Sequence, residues 1–128
     1  MFKIKNIYEP SGKKDGYRIL VDKLWPKGLS KEDAEVDLWL KEIAPTTDID
    51  KCITEDSVDF EGFKEKYRGE LRKKKTLISI IRKIEEENGT VTLLYSASDP
   101  DCNCAAVLRD KLNGYKTLQR SVGRLHGS

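Results

Sequence analysis

Between Val91 and Tyr95 the chain reads VTLLY, apolar or β-branched at every position with no polar alternation. That is the pattern of a strand covered on both faces, as central strands of parallel sheets are, so helices should flank it. Ser96, Ala97, Ser98, Asp99 and Pro100 break the strand, and Asp99 or Asp101 can cap the helix that comes next. In that helix Cys104, Val107, Leu108 and Leu112 share one apolar face, which Cys102 does not, before Asn113-Gly114 closes it.

Upstream, Phe2, Ile4, Asn6 and Tyr8 alternate with Lys3, Lys5 and Ile7, a half-exposed strand near a sheet edge that stops at Pro10-Ser11-Gly12. Tyr17–Val21 is a second, more apolar strand, interrupted by Arg18 on the face of Leu20 and Asp22. An arginine there must find a carboxylate, a carbonyl or a ligand, because an unpaired buried charge is costly, and an ion pair with Asp22 or another acid is the plain reading. Trp25-Pro26-Lys27-Gly28 is a turn, and Ser30 with Asp33 three residues on has the form of a capping box. Val36–Ile43 fits strand spacing and helix spacing equally, and Pro45 ends it either way. Thr46 or Thr47 can cap a turn over Asp48–Ile53.

Helical spacing returns in Phe60, Phe63, Tyr67 and Leu71 and again in Leu77, Ile80, Ile81 and Ile84, predicting two helices or one bent helix over Asp59–Asn88, with Gly89 just past the end. The pattern predicts an α/β fold: a small, mainly parallel sheet flanked by helices in a single domain over residues 1–114. Residues 115–128 form a basic tail with Lys116, Arg120, Arg124 and the single histidine, His126, expected to be partly disordered or foreign to the native chain.

At 128 residues the chain suits one domain, which folding should relieve of roughly two thirds of its exposed surface. The signs of charge are mixed, 24 basic against 22 acidic residues, so composition names no nucleic-acid or membrane partner. Without an apolar run long enough to span a bilayer or a signal-peptide pattern at Met1–Ile7, a cytoplasmic location is expected. The three cysteines are expected to be reduced thiols.

In an open α/β sheet, ligands most often bind at the loop leaving the C-terminal end of a central strand, which points to Ser96–Cys104. Three chemistries suit it. The first is a cleft for a small anionic or phosphorylated ligand, with turnover left open, lined by Arg18, Lys23, Trp25, Lys27, Ser96, Ser98 and Asn103. Asp22, Asp99 and Cys104 are its catalytic candidates, Asp22 and Asp99 as acid/base or metal carboxylates. Asp99 and Asp101 work against an anion, and neither a phosphate loop nor a dinucleotide fingerprint is present. The second is a transition-metal or thiol-redox site on Cys102 and Cys104, completed by Cys52, Asp99 or Glu55. Cys-x-Cys is a weak signal for it, and the plainer alternative makes Cys104 a core residue and Cys102 an incidental thiol. The third is a nucleic-acid or protein interaction surface made of Arg68, Arg72, Lys73, Lys74 and Lys75 with the basic tail. A run of this kind reads first as a solvated helix face, since no aromatic residues interleave it.

One further signal is a resemblance. Tyr8-Glu9-Pro10, the long block Asp15–Gly28 (DGYRILVDKLWPKG), Ala44-Pro45-Thr46, Phe63–Tyr67 and Leu93–Ala97 with Asn103 and Ala105 together resemble the domain-of-unknown-function 488 family (DUF488, YeaO-like) over about residues 3–112. The resemblance implies a small cytosolic prokaryotic α/β protein with no established reaction and no established catalytic residue. Family members often carry histidine at the position of Cys104, sometimes at that of Cys102 too, and another near Thr54-Glu55. If histidine served proton transfer there, this chain lacks that chemistry; if it ligated a metal, thiolates and a carboxylate would favour a softer ion.

Overall fold

The computed structural model describes residues 1–46, 60–98 and 103–114. Among these residues four strands form one parallel sheet: β1 (Phe2–Asn6), β2 (Tyr17–Leu20), β3 (Leu38–Trp39) and β4 (Val91–Tyr95), in the order β1-β4-β2-β3. The strand with no polar alternation is therefore an inner one, and every residue of β4 is buried. The alternating strand β1 lies at the edge, its lysines set where an exposed edge discourages pairing with another chain.

Among the described residues four helices accompany the sheet: α1 (Lys31–Ala34), α2 (Phe60–Arg72), α3 (Lys75–Asn88) and α4 over residues 104–114. The two helical spacings upstream of β4 are thus two separate helices, broken at Lys73-Lys74. Gly89 follows α3 at φ +82° and donates its N–H to the Glu85 carbonyl, as a C-terminal glycine does. Ser30 caps α1 by accepting the Asp33 N–H. The ambiguous segment divides, Leu38–Trp39 joining the sheet and Lys41–Ile43 forming a 3₁₀ turn. Pairing with Ile19 and Leu20 settled what periodicity left open.

The faces of the sheet are covered unequally. On one, Ile19, Val21, Val91, Leu93 and Tyr95 meet Phe63, Tyr67 and Leu71 of α2, Ile78 and Ile81 of α3, and Val107, Leu108 and Leu112 of α4. Full burial of each such side chain contributes on the order of 1.5–3 kcal/mol before chain entropy is counted. On the other, Ile7, Leu20 and Leu94 are covered by the connection from β2 to β3, through Ala34, Trp25, Leu29 and Val36, and by Trp39 of β3. Trp25 and Trp39 meet edge to face at 5.5 Å. No helix among the described residues is long and apolar enough to cross a membrane.

Candidate functional site

The chain leaves β2 toward one face of the sheet and leaves β4 toward the other. The connection after β2 covers Leu20 and Leu94, whereas the connection after β4 leads to α4, which packs among Val91, Leu93 and Tyr95. Because β2 and β4 are hydrogen-bonded neighbours whose chains part to opposite faces, their C-terminal ends form a topological switch point, the kind of place where open α/β sheets hold ligands in a crevice.

Asp22 stands at this switch point. Its Oδ2 accepts two hydrogen bonds from Ser96, at 2.8 Å from the backbone N–H and 2.6 Å from the hydroxyl. Its Oδ1 lies 3.6 Å from the Cys104 thiol, which also points toward the Val21 carbonyl at 3.9 Å. The Asp22 backbone is held as well, its carbonyl accepting the Trp39 indole N–H at 2.7 Å. The geometry thus presents a carboxylate with one oxygen saturated and the other facing a buried thiol. Such a group can accept a hydrogen bond from a ligand hydroxyl or amine.

Neighbouring residues frame the opening. Asn103 is buried and caps α4, its Oδ1 accepting the Ala106 N–H at 2.9 Å, so the cap expected from Asp99 or Asp101 is made by Asn103. Asn6 donates to the Ala97 carbonyl at 2.9 Å and fixes the turn after β4. The Tyr8 hydroxyl reaches across to the Lys27 carbonyl at 2.9 Å, tying the end of β1 to the loop after β2. Lys23 and Lys27 lie on that loop, both exposed, and Ser98 is exposed at the end of the described strand-exit segment. Trp25 is half-buried, and its indole N–H donates to the Leu29 carbonyl at 2.7 Å.

Arg18 is placed elsewhere. It lies near the N-terminal end of β2, opposite Thr92, and is four residues from Asp22, about 13 Å of extended chain. Its Nη1 donates to Asp15 Oδ2 at 2.5 Å, Nε to the Glu35 carbonyl and Nη2 to the Ala34 carbonyl, each at 2.9 Å. The acid it pairs with is Asp15, and the two carbonyls end helix α1, where Glu35 adopts φ +48°. The contacts therefore join Asp22 to Ser96 and Cys104, with Asn103 next to Cys104 and the exposed Lys23 and Lys27 on the loop after β2, but they do not include Arg18.

Asp15 is the residue whose importance the sequence concealed. Burial opposes its ionisation, but the Gly12 N–H, Lys5 and Arg18 outweigh burial and hold its carboxyl below the ordinary value of 3.8. Its own carbonyl accepts the Thr92 hydroxyl at 2.6 Å. The available signal was its spacing: an acid three residues before an arginine, across a glycine, at the start of a strand.

Among the described residues no three histidine, cysteine or acidic side chains gather in a way that would hold a metal ion. Cys52, Glu55, Asp99 and Cys102 lie outside the described residues, as do the expected turn over Asp48–Ile53 and the tail with His126. Of the basic run, Arg68, Arg72, Lys73 and Lys75 are exposed, while Lys74 donates to the Ala44 carbonyl at 3.1 Å.

Comparison with known proteins agrees with the residue blocks that resemble a family. Residues 1–124 match the profile of the "Inactive DUF488-N3 subclade". The "Uncharacterized protein YeaO" of Escherichia coli strain K12 is 43% identical over 112 residues, 84% of this chain and 93% of that protein. The "Uncharacterized protein Rv3073c" of Mycobacterium tuberculosis strain H37Rv and "Uncharacterized protein Mb3100c" of Mycobacterium bovis are each 31% identical over 112 residues, 88% of this chain and 93% of each relative. No solved structure matches. With the profile covering nearly the whole sequence and YeaO similar over most of it, the chain belongs to the DUF488 family, in its inactive N3 subclade.

Proposed function

We propose that this protein binds a small phosphorylated, hydroxyl-bearing ligand, of the sugar-phosphate or nucleotide class, in the crevice between β2 and β4, without turning it over. The observation that carries the reading is the Asp22 carboxylate, held by both donors of Ser96 where two neighbouring strands send their chains to opposite faces. A carboxylate so placed repels a bare anion but accepts a hydroxyl. The phosphate would lie toward Lys23 and Lys27 and the hydroxyl toward Asp22, a division of roles that one molecule bearing both groups can satisfy. The description of the subclade as inactive supports binding without chemistry, and the carboxylate's principal partners are donors that order it.

Calorimetric titration with ribose 5-phosphate, ribose and inorganic phosphate tests this at low ionic strength. Ribose 5-phosphate should bind more tightly than either fragment and be recovered unchanged. The Lys23→Ala/Lys27→Ala variant should lose about tenfold in affinity, or about 1.4 kcal/mol, and Asp22→Asn should erase the preference over inorganic phosphate. Affinity unaltered in both variants, or phosphate bound as well as the sugar phosphate, would overturn the reading.

A further inference from the structure

At the opposite end of the sheet a second cleft, of about 390 Å³, opens between the turn that follows β1 and the turn that joins α1 to β3. Ser11, Gly12, Lys13 and Gly16 line one side and Glu35 and Asp37 the other, with Arg18 among the lining residues. Lys13, Glu35 and Asp37 are exposed, whereas Arg18 is only 4% exposed. The cleft shares no residue with the crevice at Asp22, so a ligand can occupy either one without the other.

The charges are arranged in two opposed sets. On the acidic side, Asp37 accepts the Arg18 backbone N–H at 2.8 Å through Oδ2, and Glu35 accepts the Ser11 hydroxyl through Oε2. Each carboxylate thereby keeps an oxygen for another donor. On the basic side stands Lys13, and beneath it Arg18, whose guanidinium has acceptors for three of its five N–H groups: Asp15, Ala34 and Glu35. Its remaining N–H groups meet no acceptor among the described residues. A carboxylate that reached an N–H in excess of these three bonds would be held by a charge-assisted hydrogen bond.

A simple anion would meet Glu35 and Asp37, and a simple amine would meet Lys13 and Arg18. Only a molecule carrying both charges a few bonds apart complements both sides. We propose that this cleft binds a free α-amino acid, its carboxylate toward Lys13 and Arg18 and its ammonium toward Glu35 and Asp37. The volume lies at the small end of ligand pockets and suits a ligand of that size.

The test is an NMR titration of the full chain, labelled with nitrogen-15, at low ionic strength, following the amides of Gly12, Lys13 and Gly16. The probes are L-serine and L-arginine, with acetate and methylamine each carrying one of the two charges. Saturable shifts at these amides with the amino acids, and at least tenfold weaker ones with acetate and methylamine, are expected. Both Lys13→Glu and Glu35→Gln, whose side chains are exposed, should weaken amino-acid binding at least fivefold while leaving distant amides in place. If Glu35→Gln fails to fold, Lys13→Glu decides alone. Absence of saturable shifts in the wild type, acetate or methylamine binding as well as the amino acids, or wild-type affinity in Lys13→Glu would overturn the proposal.

Discussion

The two ends of β2 each hold an aspartate ringed by donors, and they are built differently. At the N-terminal end Asp15 is 7% exposed and faces two cations, Lys5 and Arg18, with the Gly12 N–H as a third donor. At the C-terminal end Asp22 is only half-buried, and its partners are a serine N–H, a serine hydroxyl and a thiol, all neutral. The first is closed by charge: its cations also tie together a turn, a strand and the end of α1. The second is ordered without being neutralised, so its negative charge stays available to whatever enters the crevice. An aspartate in a strand-end motif is therefore not a site because of its residue type; its partners decide.

The contrast between the two ends breaks hardest at Arg18. Replacing it with methionine leaves Asp15 buried with Lys5 as its remaining cation and removes the donors to two carbonyls. Urea unfolding should register a loss of about 3–5 kcal/mol, as when one partner of a buried pair is deleted. A loss below about 1 kcal/mol, the range of exposed pairs, would show that the pair is peripheral.

Gly16, next to Asp15, is held at φ +65° with Thr90 against it. A Cβ there would stand 2.3 Å from the Thr90 carbonyl oxygen. Gly16→Ala should cost about 2 kcal/mol or more by the same measurement, because both the backbone conformation and the space are refused. Recovery of full stability would mean that the turn and strand β4 can separate freely.

At the other end the effects should be smaller. Asp22→Asn keeps the shape but weakens the two hydrogen bonds from Ser96, costing about 1–2 kcal/mol, and Ser96→Ala should cost about 1 kcal/mol. If Asp22→Asn proved as damaging as Arg18→Met, Asp22 would be structural like Asp15, and the case for an available carboxylate would weaken.

Acid unfolding sharpens the contrast further. Because the folded protein holds the Asp15 carboxyl below its ordinary value of 3.8, its contribution is fully present above that value and is lost as pH falls through the lower folded value. Stability measured from about pH 5 downward should therefore fall more steeply in the wild type than in Asp15→Asn. Equal slopes would remove Asp15 from the acid response.

Much of the architecture was legible along the chain because it rests on local periodicity. The unbroken apolar run of β4 announced a strand buried on both faces, and the spacing of Phe60, Phe63, Tyr67 and Leu71 announced α2. The apolar face Cys104, Val107, Leu108 and Leu112 of α4 is buried as its spacing implied, because helical repeats are written in the sequence itself. The helix caps were less readable. Asn103 and the two aspartates before it are all competent caps by residue type, and only the folded chain shows that Asn103 makes the bond.

The candidate site was half legible. Ser96, Asn103 and Cys104 are implied by the rule that ligands gather where a central strand ends, and Asp22 by its place at the end of the neighbouring strand. Arg18 and Asp22 share a face by alternation, which cannot say how far apart along that face they act or which acid the arginine will find. Asp15 could be matched to Arg18 only once the turn over 13–15 had folded back onto the strand.

By itself, then, the sequence determined most of the elements, Val36–Ile43 excepted, the burial of β4, the two apolar helix faces and, through one long block of residues, the family. Tertiary structure alone decided the strand order, which brings residues 22 and 96 within one hydrogen bond of each other. It also decided that the chains leaving β2 and β4 part to opposite faces, and that Asp15 is closed by cations while Asp22 is not. Periodicity is a property of neighbours in the chain, whereas a carboxylate's environment is assembled from residues up to 82 positions away, through contacts that exist only when the sheet is complete.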